Sequence, residues 1–161
     1  IFFSLKGGAM INDKPEAVIF DMDGTLANVS GLRHYIVPPK DKPKGWFKDF
    51  DSFHSHSVTA PVNIEVKNYA LEAYNQGYKI LIVTARRAIY RHHTAWFLAL
   101  NKIPSHALYM RKNNDSRKDY IVKSEILLRY TPVHAYDDNP AVIKLWQENN
   151  ITTTIITGGF E

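Results

Sequence analysis

Residues 17–25 read AVIFDMDGT, and this stretch decides the fold. Ala17–Phe20 is a short, wholly apolar run of the kind found in strands buried on both faces. It gives way at once to Asp21, Met22, Asp23, Gly24 and Thr25. Asp21 and Asp23 are two apart, so an extended backbone projects both carboxylates to one side. Gly24 frees the backbone to turn closely around a ligand. A buried strand ending in two acids suits an α/β sheet, where ligands bind beyond the carboxyl ends of the strands.

The flanking sequence completes that sheet. Val62, Val66, Tyr69, Ala70 and Ala73 follow helical spacing, and Gly77 stands where such a helix stops. Lys79–Thr84 (KILIVT) reads as a second buried strand. Residues 87–100 read as a helix with Ile89, Trp96 and Leu100 near one stripe, and Leu108–Met110 as a short strand. Lys118–Tyr130 reads as a helix and Val133–Tyr136 as a strand. Asn139 and Pro140 form a capped helix start, with Val142, Leu145 and Trp146 on its apolar face. Ile151–Ile156, rich in β-branched residues, is the last strand. The alternation predicts an α/β fold: a Rossmann-like parallel sheet of about five strands with helices on both faces. Trp96 and Trp146 are expected in the core.

One segment breaks the alternation. Residues 28–61 hold Pro38, Pro39, Pro43 and Pro61, four lysines, and Tyr35, Trp46, Phe47, Phe50 and Phe53. A long insertion rich in aromatics is expected to be a small lid. At 34 residues it is too short for a cap domain of its own, given a minimum of about 50. Residues 1–9 match neither helix nor strand and read as a leader or remnant. Residues 10–161 read as a single domain.

Composition removes several function classes. The chain lacks cysteine, which excludes disulfides, thiolate metal sites and cysteine nucleophiles. No apolar run reaches the roughly 18 residues of a membrane helix, so no membrane partner is expected. The lack of cysteine is compatible with a reducing cytoplasm, and a cytoplasmic setting is expected. The net charge of +4 is compatible with an anionic partner such as nucleic acid. The pairs His54/His56 and His92/His93 lack a third ligand at a sequence-defined position and read as exposed loop histidines.

In a parallel sheet the strand ends converge. Asp21, Asp23, Asp137 and Asp138 would gather there with Thr84 and the ammonium of Lys123. Four acids at close range repel in a low-dielectric cleft, so a cation must offset them. Oxygen ligands of this kind are what Mg²⁺ prefers, and it also binds substrate phosphate.

In this order, DMDGT after a first strand, Thr84 ending the second, the downstream Lys123 and the later Asp137-Asp138 resemble the signature motifs of the haloacid dehalogenase superfamily. The resemblance implies a Mg²⁺-dependent phosphatase. Asp21 resembles the nucleophile, which would form an aspartyl-phosphate, and Asp23 the general acid and base. Thr84, Ala85 and Lys123 would bind the transferring phosphoryl group, with Lys123 also acting in catalysis. Asp21, Asp23 through its main-chain carbonyl, Asp137 and Asp138 would hold the metal.

A narrower resemblance lies in LYMRKNNDSRKDYIVKSEIL (residues 108–127) and VHAYDDNP (residues 133–140). These are similar to the phosphatase domain of phage-type polynucleotide kinases, as are Arg86 and the closing Gly158, Gly159 and Phe160. The resemblance implies removal of 3′-phosphates from DNA or RNA ends, with Arg33, Arg86, Arg111 and Asp119 as substrate-binding or supporting residues. It implies a kinase or ligase acting on the same ends as a further partner. No G-x-x-x-x-G-K-[ST] occurs, so the kinase half of those enzymes is not in this chain. Two windows holding Arg86, Arg87, Arg91, Arg111, Lys112, Arg117 and Lys118 are expected to border the site and meet a nucleic-acid backbone. Spacing also puts Asp119 four before Lys123 on a helix, where the two would pair. Two alternatives stay open. One is a phosphatase of nucleoside monophosphates or other small phosphomonoesters. The other is a phosphoacceptor signalling domain, against which Asp23 argues, because it sits where it would drive hydrolysis.

Overall fold

The computed structural model describes residues 14–157, with the backbone of residues 5–6 and 9–10. Leu5–Lys6 (β1) and Ala9–Met10 (β2) pair as a short antiparallel ladder, where the sequence reads neither helix nor strand. The rest of the expected leader and the closing Gly158, Gly159 and Phe160 lie outside the described residues.

Five parallel strands form the sheet: β3 (Glu16–Phe20), β4 (Lys79–Arg87), β5 (Ala107–Arg111), β6 (Thr131–Asp137) and β7 (Thr152–Ile155), in the order β5-β4-β3-β6-β7. The strand leading into Asp21 therefore lies at the centre, with the strands that carry Thr84 and Asp137 beside it. Alternation along these strands makes two cores. Val18, Phe20, Ile80 and Ile82 face one, with Val66 and Ala70 from α2 (Ile64–Asn75) and Phe97 from α3 (Arg91–Leu100). Ala17, Ile19, Leu81 and Val83 face the other, with Val142 and Trp146 from α5 (Pro140–Glu148). Gly77 ends α2 with a φ of 89°, a conformation that favours glycine. Among the described residues no helix is long and apolar enough to cross a membrane.

The insertion is half core. The main-chain bonds Asn28 N–H to Pro61 O (2.8 Å) and Asn63 N–H to Leu26 O (2.8 Å) close its base. Ser30–Tyr35 forms a 3-10 turn, and Leu32, Tyr35 and Ile36 pack onto the first core. Phe50–Ser57 forms α1, capped by Asp49, whose carboxylate accepts from the Ser52 N–H at 3.0 Å. α1 buries Phe53 and His54, while Phe47 and Phe50 remain exposed. The lid aromatics thus divide between packing and surface.

Two sequence expectations need correction. β4 runs on to Arg87 and a 3-10 turn covers Ala88–Tyr90, so α3 begins at Arg91. Its buried face is Thr94, Phe97 and Leu98, which leaves Ile89, Trp96 and Leu100 exposed. Trp96, expected in the core, is 61% exposed, whereas Trp146 is fully buried. The long helix expected over 118–130 is a short α4 (Asp119–Ser124) followed by a 3-10 turn through Leu128.

Candidate active site

The carboxyl ends of β3, β4 and β6 open into a cleft of about 530 Å³. Asp21, Asp23, Thr84, Ala85, Arg86, Lys123 and Asp138 line it, and Phe50 and Asp119 reach it from the lid and α4. The sheet brings these residues together because β3 is hydrogen-bonded to both neighbours, and Asp21 N–H continues the ladder to Tyr136 O at 3.1 Å.

Lys123 is the hub. Its buried ammonium donates to Asp21 Oδ1 at 2.9 Å and to Asp137 Oδ2 at 2.7 Å. Burial works against its charge, but Asp21 and Asp137 outweigh that and raise its pKa above the ordinary lysine value. Asp21, also reached by the Thr25 hydroxyl at 3.2 Å, is pushed well above the usual carboxylate range. Burial is the main cause, followed by Asp137; Lys123 pulls the other way and Asp138 adds to the rise. The remaining oxygen of Asp137 accepts from the Asp138 and Asn139 N–H groups at 2.9 and 3.0 Å. Two carboxylates thus share one ammonium, with Asp138 a third acid beside them.

Carboxylate oxygens of Asp21, Asp137 and Asp138 lie within 4.8 Å of one another, the one such cluster of potential metal ligands among the described residues. An all-oxygen set with unrelieved repulsion fits a hard divalent cation such as Mg²⁺. Gly24 keeps this cluster compact. Its φ is 79°, and a Cβ there would lie 2.1 Å from Asp138 Oδ2, so a side chain would displace that carboxylate.

The Asp23 carboxylate stands apart from the cluster. Arg86 holds it through Nε to Oδ2 at 2.9 Å and Nη2 to Oδ1 at 2.5 Å, and Arg86 Nη1 donates to the Thr94 hydroxyl at 3.0 Å. Burial raises the Asp23 pKa, but the Arg86 guanidinium outweighs it and holds the carboxyl below its ordinary value. Thr84 is buried, and its hydroxyl accepts from the Arg86 N–H at 3.2 Å.

Several expected substrate residues sit differently. Arg86 and Arg111 are both buried, and protein acceptors take their guanidinium groups. Arg111 donates to Ala85 O, Asp115 O, Arg117 O and Asp119 Oδ1, the last at 2.6 Å. It braces the 112–119 loop against β4. Asp119 therefore pairs with Arg111, while Lys123 turns inward to Asp21 and Asp137, so the expected Asp119–Lys123 pair does not form. Arg33 is exposed on the 3-10 turn and is not among the residues lining the cleft. Of the two basic windows, Arg117 is paired with Asp115 and Glu125, and Arg91 donates to Leu108 O. Arg87, Lys112 and Lys118 are exposed and make no ion pair with a described residue.

Sequence reasoning missed His54. It is buried on α1 rather than exposed in a loop, and its Nδ1 has no hydrogen-bond partner. The helical cap signal at Asp49 could have placed it on a helix but could not have placed it beside Asp23 and Arg86.

The family described as the polynucleotide kinase PNKP phosphatase domain matches residues 15–160. A protein of Autographa californica nuclear polyhedrosis virus, named as a bifunctional polynucleotide kinase/RNA ligase, is 27% identical over 150 residues. That match covers 89% of this chain and 20% of the viral protein. A solved structure of the Pnkp1/Rnl/Hen1 RNA repair complex aligns with a TM-score of 0.73 at 28% identity, over 96% of this chain and 45% of that one. A class C acid phosphatase from Bacillus anthracis shares the fold, with a TM-score of 0.66 at 14% identity over 90% of this chain and 67% of that one. The chain thus spans about a fifth of the viral relative and about half of the repair-complex chain. From the match over residues 15–160, the chain belongs to the phosphatase-domain family of the polynucleotide kinases, within the haloacid dehalogenase superfamily.

Proposed function

We propose that this chain is a Mg²⁺-dependent phosphomonoesterase that removes 3′-phosphates from DNA or RNA ends. The observation that carries the chemistry is Lys123 bridging Asp21 and Asp137, with Asp138 beside them and Asp23 held separately by Arg86. Asp21 attacks phosphorus, and Asp23 gives a proton to the leaving oxygen. Asp23 then takes a proton from the water that opens the aspartyl-phosphate. Arg86 favours the ionised, basic form of Asp23. A docked phosphoryl dianion pushes the other way and raises the carboxyl's affinity for the proton it must donate. Thr84, the Ala85 main chain and Lys123 hold the phosphoryl oxygens. Asp21, Asp137, Asp138 and the Asp23 carbonyl would hold Mg²⁺, which supplies charge neutralisation at the phosphoryl group. Hydrolysis of p-nitrophenyl phosphate is expected to stop in EDTA and return with added Mg²⁺. Full activity after exhaustive chelation would overturn the mechanism.

Family membership and the cations at the rim support the polynucleotide substrate. A kinase or ligase working on the same ends is the partner class this implies. Because Arg86 and Arg111 are engaged internally, backbone phosphates fall to Arg87, Lys112 and Lys118. If these three neutralise three phosphates of a single strand, log affinity should fall with log salt at a slope of about −2. Replacing all three with glutamine should flatten that slope to near zero. Equal kcat/KM on 3′-phosphorylated oligonucleotides and mononucleotides, independent of salt, would leave a small-molecule phosphatase instead.

A further inference from the structure

A second groove, of about 350 Å³, adjoins the catalytic cleft and shares Phe50, Ala85 and Asp119 with it. Its other walls include His54, Arg87 and Tyr90. The reaction fixes which way the leaving group points. Transfer is in line, so the departing oxygen lies opposite the attacking Asp21 and within reach of Asp23. Asp23 is clamped by Arg86. His54 in the groove wall lies close enough to Asp23 and Arg86 to feel both charges. The groove therefore adjoins the cleft on the side where His54 lies near Asp23.

The walls are suited to a heteroaromatic ring. Phe50 is 42% exposed at the start of α1. Its ring stacks at 6.2 Å on His54, which lies 4.1 Å from the Tyr90 ring. The Tyr90 hydroxyl donates to Asp51 at 2.7 Å, which fastens the lid helix to the end of β4 and sets the groove width. His54 is only 4% exposed, and its Nδ1 is unpartnered. Burial, then Arg86, lowers its pKa to about 4, so it is neutral at pH 7. An exposed aromatic face and an exposed guanidinium are two demands that one nucleotide meets. The volume lies within the range of about 300–1,000 Å³ usual for small-molecule pockets.

We propose that this groove is the subsite for the leaving nucleoside, whose base lies against Phe50 with its edge toward His54 while Arg87 takes the adjoining phosphodiester. The proposal rests on the polynucleotide reading above. Stacking accepts any base, so the subsite demands a base without reading its identity.

The test compares kcat/KM on a 3′-phosphorylated oligonucleotide with that on the same oligonucleotide bearing an abasic terminal nucleotide. For the unmodified protein the abasic end should be poorer by about 5- to 150-fold, the span of one base–aromatic stack. In Phe50→Ala the ratio between the two substrates should collapse toward one, and Phe50→Trp should restore it. Equal use of the two substrates by the unmodified protein, or an unchanged ratio in Phe50→Ala, would overturn the subsite. A failure of the polynucleotide reading itself is separately visible, as equal use of oligonucleotide and 3′-mononucleotide.

Discussion

Asp21→Asn is expected to abolish turnover and, in metal-free buffer, to raise the melting temperature. The first effect follows from chemistry. A carboxamide cannot attack phosphorus as a carboxylate does, and deleting a nucleophile typically costs on the order of 10⁶ in kcat. The second follows from the sign of the pKa shift. The folded-state pKa of Asp21 is raised above its unfolded value. Its contribution to stability is therefore fully present below the unfolded pKa and lost as pH rises through the folded one. Without metal, an ionised Asp21 suffers burial and the repulsion of Asp137 and Asp138, which Lys123 only partly offsets. An uncharged amide escapes both. Each kcal/mol regained should lift the midpoint by about 2–4 °C in a chain of this size. Added Mg²⁺ should stabilise the unmodified protein and narrow the gap. Thermal unfolding in EDTA and in Mg²⁺ checks this, and normal turnover by the variant would place the nucleophile elsewhere.

Asp23→Asn is expected to lower kcat by about 10²–10⁴, the usual contribution of a general acid–base group. Asparagine keeps one oxygen for Arg86 but turns the other contact into donor against donor, so the clamp loosens as proton transfer is lost. The loss should be larger on an oligonucleotide 3′-phosphate than on p-nitrophenyl phosphate. A sugar alkoxide needs a proton to leave, and a nitrophenolate does not. A uniform loss on both substrates would mean that Asp23 acts only on water. Arg86→Ala should behave differently, because it strands Asp23 and leaves Thr94 without its donor. Breaking a buried pair of this kind costs about 3–5 kcal/mol of stability, and activity should fall on both substrates together. The Asp23 pKa is depressed, so the stability of this pair is present above the unfolded pKa and lost as pH falls through the folded one.

The sheet was legible because its strands are apolar runs that stop at acids or a hydroxyl. AVIF before Asp21 and ILIV before Thr84 carry their burial in composition alone. Helix faces were less legible. Ile89, Trp96 and Leu100 satisfy a stripe, yet Thr94, Phe97 and Leu98 satisfy another, and only packing against β4 and β5 selects between them. The clustered acids were legible as types at strand ends. The arginines were not, because a basic residue near a site looks the same whether it faces solvent or a carboxylate. Arg86 finds Asp23 across 63 positions, and Arg111 takes three backbone carbonyls that no sequence marks as acceptors. The Asp119 pairing was misread for the same reason: helical spacing offered Lys123, and the tertiary fold offered Arg111.

The central place of β3 has a consequence for how the molecule comes into being. Asp21 and its ammonium partner are 102 positions apart, and the strand that delivers Asp137 is laid down later still. Non-local pairings of this kind form slowly, and a chain emerging from the ribosome presents its amino-terminal half first. Asp21, the proposed nucleophile, is thus synthesised early but lacks Asp137 until β6 docks against β3. Activity is accordingly an all-or-none report on a finished sheet, and partly folded chains should contribute nothing to it.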